Sequence, residues 1–179
     1  MMYPIDRNNC SVTVTSDASG KWGCGAFCKD KWFQLRWPDA AQETQIAVKE
    51  LIPIMLAAAV WGNNWKGRNV MSYCDNAAVV AILSKGDCKE PQAMHLMRCL
   101  AFLKAKFQFL FASHISGINN DLADAMSRDN LQYFLSHHSQ AQPSPTPLPP
   151  ELLDLMIIKK PDWTSPVGTD FWRAIFGQD

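Results

Sequence analysis

The sequence predicts an α/β domain over residues 1–135, built on a five-stranded mixed sheet in which three antiparallel strands precede two parallel additions, with helices flanking it. Two observations carry this. The first part of the chain alternates β-branched and small residues between glycine-bearing turns, the pattern of short strands joined by short loops. Beyond residue 43, helical periodicity alternates with two more apolar runs, and strands reached through helical crossovers join a sheet in parallel. With 47% hydrophobic and 19% charged residues, the chain holds enough apolar material for one core and no evident second one.

Residues 11–16 (SVTVTS) alternate and are then punctuated by Asp17-Ala-Ser-Gly20, so a strand ends at Asp17. Gly23 and Gly25 flank a second strand around residues 24–29, and a turn at Lys29-Asp30-Lys31 leads into a third at 32–37. After Pro38, residues 43–61 place apolar side chains at 46, 47, 51, 54, 55 and 58, one face of a helix, with Asp39 and Gln42 as its cap. Pro53 removes the bond to the carbonyl of residue 49, so a kink is expected beside Glu50. Residues 68–74 read as a strand, 75–85 as a short helix closed by Gly86, and 92–106 as another helix. The nearly continuous apolar run 107–114 reads as a strand buried on both faces, and 120–128 as a small closing helix. From Ser136 the texture changes. Five prolines among residues 143–150 predict a stiff, polyproline-like linker over 136–150, outside the core, and a tail over 151–179 with too little apolar mass to fold alone.

Seventeen basic and 17 acidic residues give no net charge, but residues 1–135 hold 14 basic against 12 acidic side chains, which allows a polyanionic partner without demanding one. Six cysteines occur without CxxC pairs and mostly within apolar runs, which predicts reduced thiols in an intracellular protein of the cytoplasm or nucleus. The spacing of Cys88, His95 and Cys99 fits no zinc frame. No run of ~18 uninterrupted apolar residues occurs, so a soluble protein is expected.

Four acids are candidates for chemistry. Asp17 and Asp75 follow strands, Asp124 lies in the last helix, and Glu50 sits on the inner part of the first helix. Strand ends in an open α/β sheet converge on one edge, where such folds keep their sites. Clustered carboxylates stay ionised only if cations neutralise them, and magnesium suits an all-oxygen site that also takes phosphate. Taken singly, each acid has a plainer reading: Asp17 as a turn former, Asp75 as a helix N-cap, Glu50 and Asp124 as helix-surface acids, with Asp121 competing for the role of Asp124.

The string His114-Ile-Ser-Gly117-Ile-Asn-Asn120-Asp-Leu-Ala123-Asp124-Ala-Met-Ser127-Arg128 resembles the closing motif of ribonuclease H domains in gypsy-like and DIRS-like retroelements, H-x-x-G-x-x-N-x-x-A-D-x-x-S-R, at every defined position. Asp17-Ala-Ser-Gly20 with Trp22-Gly-Cys-Gly25, Lys49-Glu50-Leu51 and Cys74-Asp75-Asn76 resemble the other three blocks of that family, in the same order. Trp163-Thr-Ser-Pro166 resembles the tail after ribonuclease H in DIRS-like polyproteins. The resemblance implies a ribonuclease H-like fold and an endonuclease that cuts the RNA strand of RNA–DNA hybrids, leaving 5′-phosphomonoesters. It implies that Asp17, Glu50, Asp75 and Asp124 bind two Mg2+ ions, for which Mn2+ can substitute, and that His114 assists proton transfer or product release. A reverse transcriptase fused upstream and a tyrosine recombinase downstream are the implied neighbours. The motif selects Asp124 over Asp121. Ser116 and Met126 depart from the family's frequent proline and leucine, and neither is an implied ligand. The short interval between Asp75 and Asp124 leaves no room for the basic loop of cellular ribonucleases H and resembles the retroviral arrangement.

For a hybrid substrate, Ser19, Gly20, Ser72 and Asn76 are candidate contacts to 2′-hydroxyls, and Lys85, Lys89, Arg98, Lys104 and Lys106 candidate contacts to phosphates. Two alternatives stand beside this reading: a catalytically inactive scaffold of the same fold, and a recombinase-type nuclease, which would need only three of the acids.

Overall fold

A computed structural model describes residues 10–116 and 120–153. Its elements run β1 (Val12–Ala18), β2 (Gly23–Cys28), β3 (Lys31–Arg36), α1 (Ile46–Trp61), β4 (Asn69–Cys74), α2 (Ala77–Lys85), α3 (Pro91–Phe107), β5 (Leu110–Ile115), α4 (Asp121–Ser127), α5 (Leu131–His137) and α6 (Pro150–Leu153). The sheet order is β3-β2-β1-β4-β5. β1, β2 and β3 are antiparallel neighbours, while β4 lies parallel to β1 and β5 parallel to β4. The mixed sheet expected from the sequence is therefore the sheet observed.

Side-chain alternation divides the interior in two. Val12, Val14, Cys24, Ala26 and Phe33 face α1 in the main core, with α3 packed on α1, and Trp32 and Phe27 face Met126 and Phe134 of α4 and α5 in a smaller one. Residues Val48 to Ala58 of α1 are all buried, which explains why the helix is apolar on every side: sheet and α3 enclose it. By length and composition Ile46–Trp65 could cross a membrane, but most of it is buried inside this domain, as in a core helix. The helix runs unbroken through Pro53, and its N-cap is Gln45; Asp39 lies in a separate 3-10 turn instead of capping it.

Helix boundaries follow local chemistry. Asn76 caps α2 by accepting from the backbone N–H groups of Ala78 and Val79, and Gly86 ends it in the left-handed region at φ 71°. Pro91 opens α3, the Glu90 carboxylate accepts from Ala93 N–H at 2.6 Å, and Lys104 and Lys106 oppose the helix dipole at its end.

Two further expectations are corrected. The strand expected at 107–114 is β5, 110–115, and it is the sheet's edge, so its residues are half-buried or exposed, whereas Phe107 ends α3. An apolar run does not distinguish a doubly covered strand from a helix end followed by an edge strand. The second correction concerns 136–150, which is docked on the domain. After α5 the chain returns along β3: Gln142 N–H donates to Asp30 O at 2.8 Å, Thr146 N–H to Trp32 O at 2.7 Å, Trp32 Nε1 to Gln142 O at 2.8 Å and Trp61 Nε1 to Thr146 Oγ1 at 3.1 Å. Leu148 and Leu152 pack against the main core. An extended proline-rich chain needs no partners of its own, so its few N–H groups are free to pair with an edge strand. The remainder of the expected tail, with Trp163-Thr-Ser-Pro166, lies outside the described residues, as does Gly117.

Candidate active site

The turn after β1 is built to hold Asp17 still. Ser19 Oγ accepts the N–H groups of Trp22 and Gly23, each at 3.0 Å, and Trp37 Nε1 donates to Ser19 O at 2.7 Å. Lys49, 1% exposed, donates to Gly20 O at 2.6 Å and Gln42 O at 2.9 Å, tying the turn to α1 one residue before Glu50. Burial lowers the pKa of this ammonium, an effect partly offset by Glu43. The Ser19 hydroxyl is thus spent inside the turn, and Ser72 is fully buried within the sheet, so neither is placed to meet a substrate as expected. Gly20 is exposed, with open space around its Cα, and Asn76 is half-exposed with its Oδ1 committed to the cap.

Asp75 is exposed at the end of β4 and is not the helix cap; Asn76 is. The carboxylate is therefore left to the acid group, where it contacts Asp17. Asp17, Glu50 and Asp75, from β1, α1 and the β4–α2 turn, bring one oxygen each within 4.8 Å of one another. Asp17 and Glu50 are each only 3% exposed. Burial, reinforced by Asp17 and Asp75, pushes the Glu50 carboxyl up to about 9. Burial likewise raises Asp17 to about 6, with Asp75 and Asp124 adding to the rise and the Ser127 hydroxyl opposing it. No lysine or arginine pairs with these three acids among the described residues, and Glu50 Oε2 is buried without a hydrogen-bond partner. Hard oxygen donors that repel one another around an unsatisfied buried oxygen fit a divalent cation such as magnesium.

The fourth acid stands apart. Asp124, half-buried on α4, is not in the group of three; its Oδ1 accepts from Arg128 Nε at 2.7 Å, one turn along. Asp121 points elsewhere, accepting from the Tyr133 hydroxyl at 3.0 Å. His114 lies on β5 beside Tyr73, their rings 6.1 Å apart and edge-on. Registration of Thr15 with Tyr73 and of Tyr73 with His114 puts His114 on the Asp17 face, two strand spacings or about 10 Å from β1. It is not brought into the acid group. Lys85, Lys89, Arg98 and Lys106 are exposed, and Lys104 is half-buried at the end of α3.

Sequence reasoning missed the residues that grip the acids. Ser127, fully buried, donates to Asp17 Oδ2, and the Asn120 amide donates to Asp17 Oδ1 at 3.4 Å. Both are fixed positions of the closing motif, which was the available signal. Gly25 makes their approach feasible: a Cβ there would come within 2.6 Å of Met126 Cβ.

No protein-family model matches the chain, and no curated protein matches it. Solved structures do. Ribonuclease H1 from the halophilic archaeon Halobacterium salinarum aligns with a TM-score of 0.51 at 13% identity, covering 68% of this chain and 98% of that one. The LC11 ribonuclease H1, isolated from compost by a metagenomic approach, aligns with a TM-score of 0.53 at 19% identity, covering 69% and 97%. The domain has the ribonuclease H-like fold, with an acidic group at the end of its central strands.

Proposed function

We propose that this domain is an endoribonuclease that hydrolyses the RNA strand of RNA–DNA hybrids to 5′-phosphomonoesters. One observation carries the reading: three separate elements bring Asp17, Glu50 and Asp75 together, two of them buried at energetic cost and none neutralised by a cation among the described residues. In this reading Asp17, Glu50 and Asp75 hold divalent cations, joined by Asp124 once Arg128 releases it, and two magnesium ions are the preferred complement. Bound there, such ions would supply an activated water and charge neutralisation at the leaving oxygen. The turn of residues 17–23 keeps Asp17 oriented, and exposed Gly20 and Asn76 beside it are the groups left to meet the minor groove of the hybrid. His114 serves on the flank, toward departing product. The four-block resemblance supports a role in reverse transcription of a retroelement, in the cytoplasm or nucleus, with a reverse transcriptase upstream and a tyrosine recombinase downstream.

The test is cleavage of end-labelled hybrid, duplex RNA and duplex DNA with and without magnesium. Magnesium-dependent cutting of the RNA strand of the hybrid alone is expected; cutting of duplex DNA would point to the recombinase-type reading, and no cutting to an inactive scaffold. Asp124→Asn is expected to lose most activity and Asp121→Asn to keep it, because Asp121 is bound by Tyr133 away from the group. Equal losses would show that both acids serve.

A further inference from the structure

Among the described residues, Asp17 is the one acid of the group whose two oxygens are both held by side chains at the two ends of a single helix, α4. Ser127 ends α4 and is completely buried; its hydroxyl donates to Asp17 Oδ2 and also lies 2.9 Å from Asp124 O. Asn120 precedes α4 and gives its amide to Asp17 Oδ1 instead of capping the helix, which is left with no side-chain cap bond. The exchange has a cost, because Asn120 Oδ1 is buried with no partner. A helix that gives up its cap and strands a carbonyl oxygen to reach one carboxylate is organised around that carboxylate.

We propose that Ser127 is the positioning residue of this site: with Asn120 as the weaker second contact, it fixes the rotation of the Asp17 carboxylate and so selects the lone pairs left to face a divalent cation. The proposal rests on the function proposed above. Its physical basis is that a carboxylate ligand held by a donor on one lone pair presents the other without first losing rotational freedom, whereas an unheld one swings toward other partners. Asn120 and Ser127 lie seven positions apart, about two helical turns, so α4 with its N-terminal flank spans Asp17 and grips it from both ends. Arg128, the next residue, holds Asp124, so consecutive residues set the orientations of the sheet acid and the helix acid.

The test uses the full chain as wild type, Ser127→Ala, Ser127→Thr and Asn120→Ala. Magnesium binding is measured by calorimetry without nucleic acid, alongside hybrid cleavage as a function of magnesium. Loss of a hydrogen bond that orients a metal ligand costs about 10- to 100-fold in metal affinity. Ser127→Ala should therefore need about 10- to 100-fold more magnesium for half-saturation in both measurements, with KM for hybrid unchanged at saturating metal. Ser127→Thr keeps the hydroxyl and should stay close to wild type, and Asn120→Ala should fall between. If Ser127→Ala unfolds, a wild-type magnesium dependence in Asn120→Ala overturns the proposal. Wild-type magnesium affinity in a folded Ser127→Ala, or a loss confined to KM for hybrid, also overturns it while leaving the proposed function standing. A wild-type chain that neither binds magnesium nor cuts hybrid overturns both.

Discussion

At the scale of single residues, the site is governed by which neighbour performs which task. Asp75 and Asn76 are adjacent and both suit an N-cap, and the sequence reading gave that role to Asp75. The structure gives the cap to Asn76 and leaves Asp75 to the acid group. Asp75→Asn is accordingly expected to reduce hybrid cleavage below about a tenth of wild type while raising the melting temperature of metal-free protein, since it removes a charge that repels Asp17 and Glu50. A lowered melting temperature would show that the acids are not coupled. The raised carboxyls also set a pH dependence. Folded Glu50 titrates near 9 against an ordinary 4.5, and Asp17 near 6 against 3.8. Between those limits the folded state binds more protons than the unfolded one, so the stabilisation is fully present below the ordinary values and is lost as pH rises through the folded ones. Melting temperature in chelator should fall from about pH 4 to pH 9, the Asp17 contribution going first and the Glu50 contribution last. Glu50→Gln should flatten the upper part of that fall. A melting temperature that rises over the interval would contradict the burial of Glu50 as an acid.

Elements were legible in proportion to how much of their sequence answers to local physics. The β1–β2–β3 meander, α2 with Gly86 at its end, and α3 all follow from alternation, helical spacing and end residues. What escaped depends on tertiary contact. Helix α5 is seven residues long, too short for periodicity to declare, and is held by Phe134 against Trp32 and Phe27. The role of Ser127 required knowing that α4 lies against β2, which the bare glycine at 25 permits. Gly25→Ala tests that dependence: with 2.6 Å between the new Cβ and Met126 Cβ, α4 must lift or the strand must shift. We expect a destabilisation of about 1–3 kcal/mol, with magnesium affinity falling alongside because α4 carries Ser127 away from Asp17. Unchanged stability, measured by urea unfolding, would mean that α4 seats elsewhere.

For the whole molecule, the segment after residue 135 is defined by what it lies against. Proline content reports what conformation a segment adopts and not what it lies against. Residues 138–153 cover the start of β3, and their removal would strip three leucines, Leu148, Leu152 and Leu153, from the main core and five hydrogen bonds from Asp30, Trp32 and Trp61. A chain ending at residue 135 is therefore expected to be less stable than one ending at 153 by about 2–4 kcal/mol, a melting temperature at least about 5 °C lower. Equal melting temperatures would show that the returning segment adds nothing. The same covering has a geometric corollary. A β-sheet can be lengthened wherever a margin has unspent peptide groups. Here the lower half of one margin is sealed by the chain's own Gln142 and Thr146, whereas β5 ends the other with Leu110 and Ile115 exposed. Among the described residues no strand pairs with β5 beyond β4, so an added strand meets a whole open margin on the flank that carries His114, against half of one at β3.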